Sequence, residues 1–276
     1  MIFLMPTLFI SHGSPMLALE EEPTTRFLRS LSAQLPRPKA IVIASAHWET
    51  GDPMITGSAN PETIHDFSSF PKELYQLRYP VPGDPALAEH IQLLLTKAGF
   101  KAGIDPTRGL DHGAWNPLLL MYPAANIPVI ELSVQPERDA QWHYQIGQAL
   151  SPLREEEVLV IGTGNLTHNL REAFRGHHVQ TPSWVSVFAR WVADKVEKND
   201  TESLLNWKHL APHARENHPT PEHFLPLFVA LGAAENVSQV KRLNVEMAMG
   251  VLAMDVYAFG KIGNDKFYHS GKKISP

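Results

Sequence analysis

The sequence predicts a single α/β domain with a mixed, mostly parallel central sheet that is covered by helices on both faces. Segments with helical spacing of apolar residues separate short apolar runs, and this alternation is typical of a parallel sheet buried on both faces. The 276-residue chain shows no linker, repeat or change of composition, which favours one domain. The predicted strands are Thr7–Ile10, Ala40–Ala46, Val129–Val134 and Val158–Gly162.

The helices are predicted from apolar spacing and from the residues at their ends. The clearest is Asp84–Ala98, where Asp84 is a suitable N-cap, Pro85 fits the first helical position and Gly99 favours termination. The other predicted helices are Thr24–Gln34, Trp142–Leu153 and Ser183–Lys198.

The end of the chain departs from the alternation of strands and helices. Val240–Val245 and Gly250–Phe259 both have strand character, and we expect them to add antiparallel pairs at a sheet edge. We place the domain at residues 1–263 and interpret the polar segment 264–276 as a frayed tail. The apolar N-terminus lacks a basic region, so it predicts a first strand rather than a signal peptide.

The composition indicates a protein that acts on small molecules in a reducing compartment. The net charge of −5 and the lack of a large Lys/Arg cluster argue against a nucleic-acid partner. The chain has no cysteine, which excludes disulfides, thiolate metal sites and cysteine nucleophiles. No apolar run reaches the roughly 18 residues that a membrane helix needs. We expect a cytoplasmic protein that does not bind membranes.

Four histidines at the ends of ordered segments carry the functional signal. His12 follows the first apolar run and precedes Gly-Ser-Pro, and His47 follows Ile-Val-Ile-Ala-Ser-Ala. A lone turn histidine often does no more than bond to the backbone. If these two lie on adjacent parallel strands, however, their Cα atoms are roughly 5 Å apart, within reach of one ion. The other two are His168, in Gly-Asn-Leu-Thr-His-Asn, and His223, in Pro-Thr-Pro-Glu-His-Phe.

The surroundings of His223 predict the first turn of a helix. Thr220 is a possible N-cap, Pro221 suits the first helical position, and Pro226 is expected to strain or kink the helix. The positive end of a helix dipole keeps an imidazole neutral and able to donate its lone pair. Alternatively, His223 is a polar residue at an exposed helix start.

The remaining candidates depend on neighbouring acids. His168 follows Gly-Thr-Gly-Asn, which lacks the third glycine of a nucleotide loop, so we interpret it as an acid–base residue or a fourth ligand. His112 and His65 lie beside Asp111 and Asp66, which could orient their rings. Glu222 is the acid best placed for a metal. The sequence contains neither a Gly-x-Ser-x-Gly elbow nor a His-Glu-x-x-His helix.

Six segments follow one another along nearly the whole chain: His12-Gly-Ser-Pro, Ser-Ala-His47-Trp, Thr-Ile-His65-Asp-Phe, Leu-Asp-His112-Gly-Ala-Trp, Asn-Leu-Thr-His168-Asn and Pro-Thr-Pro-Glu-His223-Phe-Leu-Pro. Together they resemble the class III (LigB-type) extradiol ring-cleaving dioxygenases, and most closely their 4,5-DOPA dioxygenase branch. The resemblance implies a single-domain α/β fold and a mononuclear non-haem iron(II) site.

The resemblance also implies roles for individual residues. It makes His12, His47 and His223 the metal ligands, and His168 the acid–base residue that is also able to approach the metal. His112 becomes a catalytic residue of the pocket, and His65 and Asp66 become substrate-binding residues. The implied substrates are O2 and a catechol, such as L-DOPA or a related catecholic acid.

The ligand set leaves alternatives open. Non-haem iron dioxygenases commonly use two histidines and one carboxylate, whereas three imidazoles also suit zinc(II). A zinc hydrolase that uses the same histidines is therefore a second hypothesis. A non-catalytic metal-binding protein that resembles the Memo group is a third. The sequence does not predict the oligomeric state.

Overall fold

The computed structural model describes residues 4–175, 180–234 and 239–263. Its strands are β1 (Thr7–Ser11), β2 (Ala40–Glu49), β3 (Met54–Thr56), β4 (Gly103–Asp105), β5 (Val129–Val134), β6 (Val158–Gly164), β7 (Val240–Asn244), β8 (Met247–Ala248), β9 (Leu252–Ala253) and β10 (Val256–Phe259). Eight of them form one sheet in the order β4-β3-β5-β2-β6-β1-β10-β7, and β8 and β9 form a separate pair.

The sheet has a parallel centre and antiparallel pairings towards both edges. Strands β5, β2, β6 and β1 run parallel to one another. On one side β3 pairs antiparallel with β5, and on the other β10 pairs antiparallel with β1 and β7. The predicted α/β class with a mixed, mostly parallel sheet is confirmed. The tail 264–276 lies outside the described residues, and its boundary at residue 263 stays a prediction.

Three strand predictions differ from the structure. β2 extends to Glu49, so His47 lies within the strand instead of after it. The expected adjacency of the strands that lead to His12 and His47 is wrong, because β6 lies between β1 and β2. The segment Gly250–Phe259 is divided between β9 and β10.

Ten α-helices occur in the described residues, and several begin at an acidic N-cap. Asp84, Asp111 and Asp139 each accept a hydrogen bond from a backbone N–H in the first turn of the following helix. No helix in the described ranges is long and apolar enough to cross a membrane. The helices are α1 (Pro23–Leu31), α2 (Pro85–Lys97), α3 (His112–Met121), α4 (Ala140–Leu150), α5 (Leu170–Arg175), α6 (Ser183–Glu197), α7 (Thr201–Leu205), α8 (Trp207–Leu210), α9 (Ala214–Asn217) and α10 (Leu225–Ala233).

The start of α10 corrects the expected helix around His223. His223 lies in the turn before the helix, and α10 begins two residues later at Leu225. Pro226 therefore occupies the first turn, where its missing N–H has no helical partner to lose. The kink that the sequence predicted at Pro226 is therefore not expected at this position.

Both faces of the sheet are covered, as alternate residues of β2 illustrate. Ile41 and Ile43 belong to the apolar cluster that contains α1 and α3 residues. Val42 and Ala44 point the other way, into the cluster that contains α2, α4 and α10 residues. The histidine-rich segments follow the carboxyl ends of the parallel strands, at one edge of this two-sided core.

Helices α4 and α10 approach each other at two glycines. A Cβ atom at Gly232 would lie 2.0 Å from the carbonyl oxygen of Tyr144, and one at Gly147 would lie 2.2 Å from that of Val229. Because real Cβ atoms never come this close to backbone, the helices pack at this distance only while both positions remain glycine.

We predict that Gly232→Ala lowers the free energy of unfolding by about 1–3 kcal/mol, since α4 and α10 must separate and the higher helix propensity of alanine offsets the loss only in part. Urea denaturation measures the change. Gly51→Ala is the control, because its Cβ would meet no atom within 4 Å. Equal stabilities of the two variants would contradict the prediction.

Candidate metal centre

A cavity of about 560 Å³ opens beside the carboxyl ends of the parallel strands. Five histidines contribute to its wall: His12, His47, His112, His168 and His223. They come from β2, α3 and three connecting segments, one of which directly follows β1, so the fold brings together residues that are up to 211 positions apart. All five occur among the site residues predicted from the sequence.

Three of these imidazoles converge on one point. The Nε2 atom of His47 lies 3.0 Å from that of His12 and 3.3 Å from that of His223. Nitrogen atoms that each lie about 2.1 Å from one ion in tetrahedral or octahedral geometry are about 3.0–3.4 Å from one another. The residues present therefore fit a single divalent metal ion bound by three histidines.

The local backbone explains how His12 reaches this point. His12 follows β1 directly, and its N–H bonds to the carbonyl oxygen of Gly164 at the end of β6. The Thr163 hydroxyl donates to the Gly113 carbonyl and lies 3.0 Å from Nδ1 of His12. Because the hydroxyl proton is already committed, Nδ1 must donate to Thr163, and the lone pair of His12 is left on Nε2.

His223 reaches the site because β6 ends in glycine. A Cβ atom at Gly164 would lie 2.1 Å from the carbonyl oxygen of His223, and the same carbonyl accepts a hydrogen bond from the N–H of Asn165. The turn that carries His223 therefore rests directly on the strand end. Nδ1 of His223 lies 2.9 Å from Oε1 of Glu222, so this carboxylate orients the ring.

Asp66 connects His47 with His112. Its carboxylate accepts the backbone N–H of His112 at 2.9 Å, lies 2.8 Å from Nδ1 of the same ring, and lies 3.5 Å from Nδ1 of His47. Burial raises the pKa of Asp66, but the hydrogen bonds and charge of His112 outweigh burial and bring the pKa to about 2. Asp66 is thus an ionised carboxylate that holds the His112 ring and lies close to the His47 ring.

Burial keeps the three converging rings neutral. It lowers the pKa of His12 and His223 well below the usual value, and neighbouring histidines lower it further. Burial and then His112 lower the pKa of His47 to about 4, against an opposing effect of Asp111 and Asp66. Metal ligation requires neutral imidazole, so the site is prepared for an ion at neutral pH.

His168 differs from the converging rings. Its ring stacks on His223 with centroids 3.4 Å apart, while its backbone N–H bonds to the carbonyl of Asn217. Burial, and then His218, lower the pKa of His168 to about 3. Its ligand nitrogen belongs to a second group with Glu222 and His223 in which the atoms lie within 4.8 Å of one another. His168 therefore lies beside the convergence point as a neutral ring.

His65 does not reach the cavity. Its Nε2 atom lies 3.1 Å from the carbonyl oxygen of Leu77, and its ring packs against Phe67, Tyr75 and Trp115. Asp66, the other predicted substrate-binding residue, does line the cavity. The substrate-binding role of His65 stays a prediction, without a contact that supports it.

A buried carboxylate pair, Asp111 with Glu131, lies behind His47, and the sequence did not predict this pairing. Ser45 donates to Asp111 at 2.6 Å and accepts the N–H of His47, while Oε2 of Glu131 accepts the N–H of Asp111. Arg108 reaches Asp111 at 3.1 Å and Glu131 at 3.5 Å. Burial, followed by the charge of Asp111, raises the pKa of Glu131 well above its usual value. The signal in the sequence was Glu131 itself, an acid in the middle of the apolar run Val129–Val134.

Comparisons with known proteins agree with this geometry. A model of the family described as the catalytic LigB subunit of aromatic ring-opening dioxygenase matches residues 6–269. A 4,5-DOPA dioxygenase extradiol of Beta vulgaris is 43% identical over 92% of this chain and 96% of its own length. A relative with the same name in Escherichia coli K12 is 40% identical over 91% of this chain and 93% of its own length.

A solved structure has the same fold. The crystal structure of an uncharacterized protein of Escherichia coli K12 superposes with a TM-score of 0.78 at 35% identity, and the match covers 93% of this chain and 100% of that one. None of these comparisons favours the zinc hydrolase or the Memo-like alternative. The chain belongs to the LigB family of aromatic ring-opening dioxygenases, and it is an enzyme that cleaves rings in the extradiol manner.

Proposed function

We propose that this enzyme opens the ring of an L-DOPA-like catechol with O2 at an iron(II) ion held by His12, His47 and His223. The observation that carries the proposal is the convergence of the three Nε2 atoms, 3.0 and 3.3 Å apart, at the cavity wall. Membership of the LigB family implies a bound metal, a small aromatic substrate and O2. The choice of iron over zinc, the ligand set and the particular catechol belong to the proposal.

The metal and the protein supply different parts of the chemistry. When bound, iron(II) supplies acidification of the catechol oxygens and one-electron chemistry towards O2, which zinc(II) lacks. The overall reaction breaks the ring C–C bond beside the diol. The two atoms of O2 end on the two separated carbons, one as a carboxylate and one as an aldehyde.

His168 is proposed as the residue that moves the substrate proton. A neutral ring in the cavity wall accepts a proton from a catechol hydroxyl and returns it later in the reaction. His168 is suited to this task by its position, because its ring lines the cavity and stacks on His223 without belonging to the group of three converging rings.

His112 is proposed to contact the reacting end of the substrate. Its ring centroid lies 3.9 Å from that of His47, and the ring lines the cavity. Donation from Nδ1 to the ionised Asp66 leaves the lone pair on Nε2, which can accept a hydrogen bond from a substrate hydroxyl. This geometry supports Asp66 as the residue that orients His112, in addition to its predicted contact with substrate.

The cavity is large enough for a catechol with a side chain. Phe67 and Phe70 line it beside the histidines, and aromatic faces are suitable partners for a phenyl ring. The relatives named 4,5-DOPA dioxygenase support L-DOPA itself as a candidate. A cytoplasmic location also remains a proposal, and it is based on the lack of cysteine.

We predict that the protein loaded anaerobically with iron(II) consumes O2 and forms a yellow ring-opened product from catechols, whereas the zinc-loaded protein does not. His223→Ala should lose both tight metal binding and turnover, since it removes one of three ligands. Metal analysis and an oxygen electrode measure the two effects. His90→Ala is the control, because His90 pairs with Glu156 at the surface. Full metal binding by His223→Ala would contradict the ligand set.

We predict that His168→Ala retains most of its iron and loses turnover by roughly 10²–10⁴-fold, the usual contribution of a general acid–base residue. Metal content and kcat are measured on the same sample, so a loss of iron cannot be mistaken for a loss of catalysis. Normal turnover in this variant would eliminate the acid–base role. Parallel loss of iron and turnover would instead make His168 a ligand.

A further inference from the structure

We propose that Glu20 and Glu22 select catechols whose side chain carries a positive charge and reject those whose side chain carries only a carboxylate. The inference rests on the proposed function, because it concerns the part of the substrate that extends away from the reacting ring. The two residues lie between the 3₁₀ turn Pro15–Ala18, which follows His12, and the start of α1. Both line the cavity that contains the five histidines.

The cavity has one chemical character at its inner end and another at its mouth. The inner end holds the imidazoles, and His12 and His223 are only 1% and 5% exposed. Apolar side chains dominate the remainder, including Leu170, Phe174 and Met249 near the exposed surface. A catechol whose diol faces the imidazoles therefore directs its side chain towards the mouth, where Glu22 is exposed and Glu20 is partly buried.

The charged groups of the cavity wall are all acidic in the described residues. They are Glu20, Glu22 and Asp66, and neither lysine nor arginine is part of the described wall. The carboxylate of Asp66 already bonds to the backbone N–H and the ring of His112, and it lies 3.5 Å from Nδ1 of His47. A carboxylate on the substrate side chain would therefore find no cationic partner there, whereas an ammonium group would find two carboxylates.

Among the described residues, the carboxylates of Glu20 and Glu22 have no side-chain partner, in contrast to that of Glu21. Glu21, which lies between them, pairs with Arg29. In the described part of the chain no ion pair or side-chain hydrogen bond engages Glu20 or Glu22. Burial, and then the charge of Glu22, raise the pKa of Glu20. This like-charge repulsion would be relieved by a cation bound between the two residues.

The expected order of substrates follows from charge alone. A catecholic amine is the best substrate, a neutral catechol and a zwitterionic amino acid are intermediate, and a catecholic acid is the poorest. Because the side chain is remote from the bonds that break, the discrimination acts on binding and appears mainly in KM. Partly exposed carboxylates are screened by water and salt, so the effect of each is modest.

The test compares dopamine, 4-ethylcatechol, L-DOPA and 3-(3,4-dihydroxyphenyl)propionate on the iron-loaded enzyme. The wild type is measured beside Glu20→Gln, Glu22→Gln, the double variant, and Glu21→Gln as the matched control. We expect the preference for dopamine over the propionate to fall roughly 2–5-fold for each carboxylate removed. Rates with 4-ethylcatechol correct for effects that do not depend on charge. The preference for dopamine should also fall as the salt concentration is raised. Glu21→Gln should have the same preference as the wild type.

Two outcomes overturn the inference: a wild-type enzyme that prefers the propionate to dopamine, or a double variant that keeps the wild-type preference. Failure of the proposed function is a separate result, seen as the absence of turnover with every catechol, including the neutral one. In that case, calorimetric titration of dopamine and the propionate into the wild type and the four variants still tests whether Glu20 and Glu22 favour the cationic ligand. Equal affinities for the two ligands in the wild type would then refute the selection by Glu20 and Glu22.

Discussion

The site depends on one constraint, namely that three imidazole lone pairs must point at the same position. Each ring has two nitrogens, and only the one without a proton can bind a metal. An oxygen atom lies beside Nδ1 of each converging ring: Thr163 for His12, Asp66 for His47 and Glu222 for His223. The hydrogen bonds to Thr163 and Glu222 hold the proton of His12 and His223 on Nδ1, so their Nε2 atoms are free to face the cavity. For His47, Asp66 is a more distant acceptor, 3.5 Å from Nδ1.

The third ring, that of His223, reaches this point because its turn packs on the backbone of β6. Cβ atoms at Gly162 and Gly164 would lie 2.0 Å from the Pro226 carbonyl oxygen and 2.1 Å from that of His223. The same strand separates β1 from β2, so it also sets the distance that His12 and His47 must span. Strand β6 is therefore the support of the site: Thr163 contacts His12, Gly164 packs against His223, and Gly162 packs against Pro226 in the helix that follows His223.

The sequence predicted those features of the fold and the site that depend on the local pattern of residues. Continuous apolar runs located the four central strands, and the histidines that follow or end them identified the site. Strand order was not predictable from these runs, because it is set by how the helices pack, and the adjacency expected for the strands of His12 and His47 was wrong. Thr163 and Glu131 were missed because their significance arises only from partners that are distant in sequence. His65 matched a family segment, yet its ring is directed towards Leu77.

The burial of His12, His47, His168 and His223 at one wall makes the folded protein sensitive to acid when no metal is bound. Desolvation lowers the pKa of His47 to about 4 and of His168 to about 3, so these rings resist protonation in the folded state. An unfolded histidine titrates near 6.5. As pH falls below that value, histidines of the unfolded chain become protonated while the buried rings of the folded protein do not. The free energy of unfolding therefore decreases. A bound divalent ion acts in the opposite direction, since only the folded chain presents three lone pairs at one point. Metal and protons therefore compete for the same nitrogens, and the burial that prepares the site for the metal is also what makes the empty site sensitive to acid.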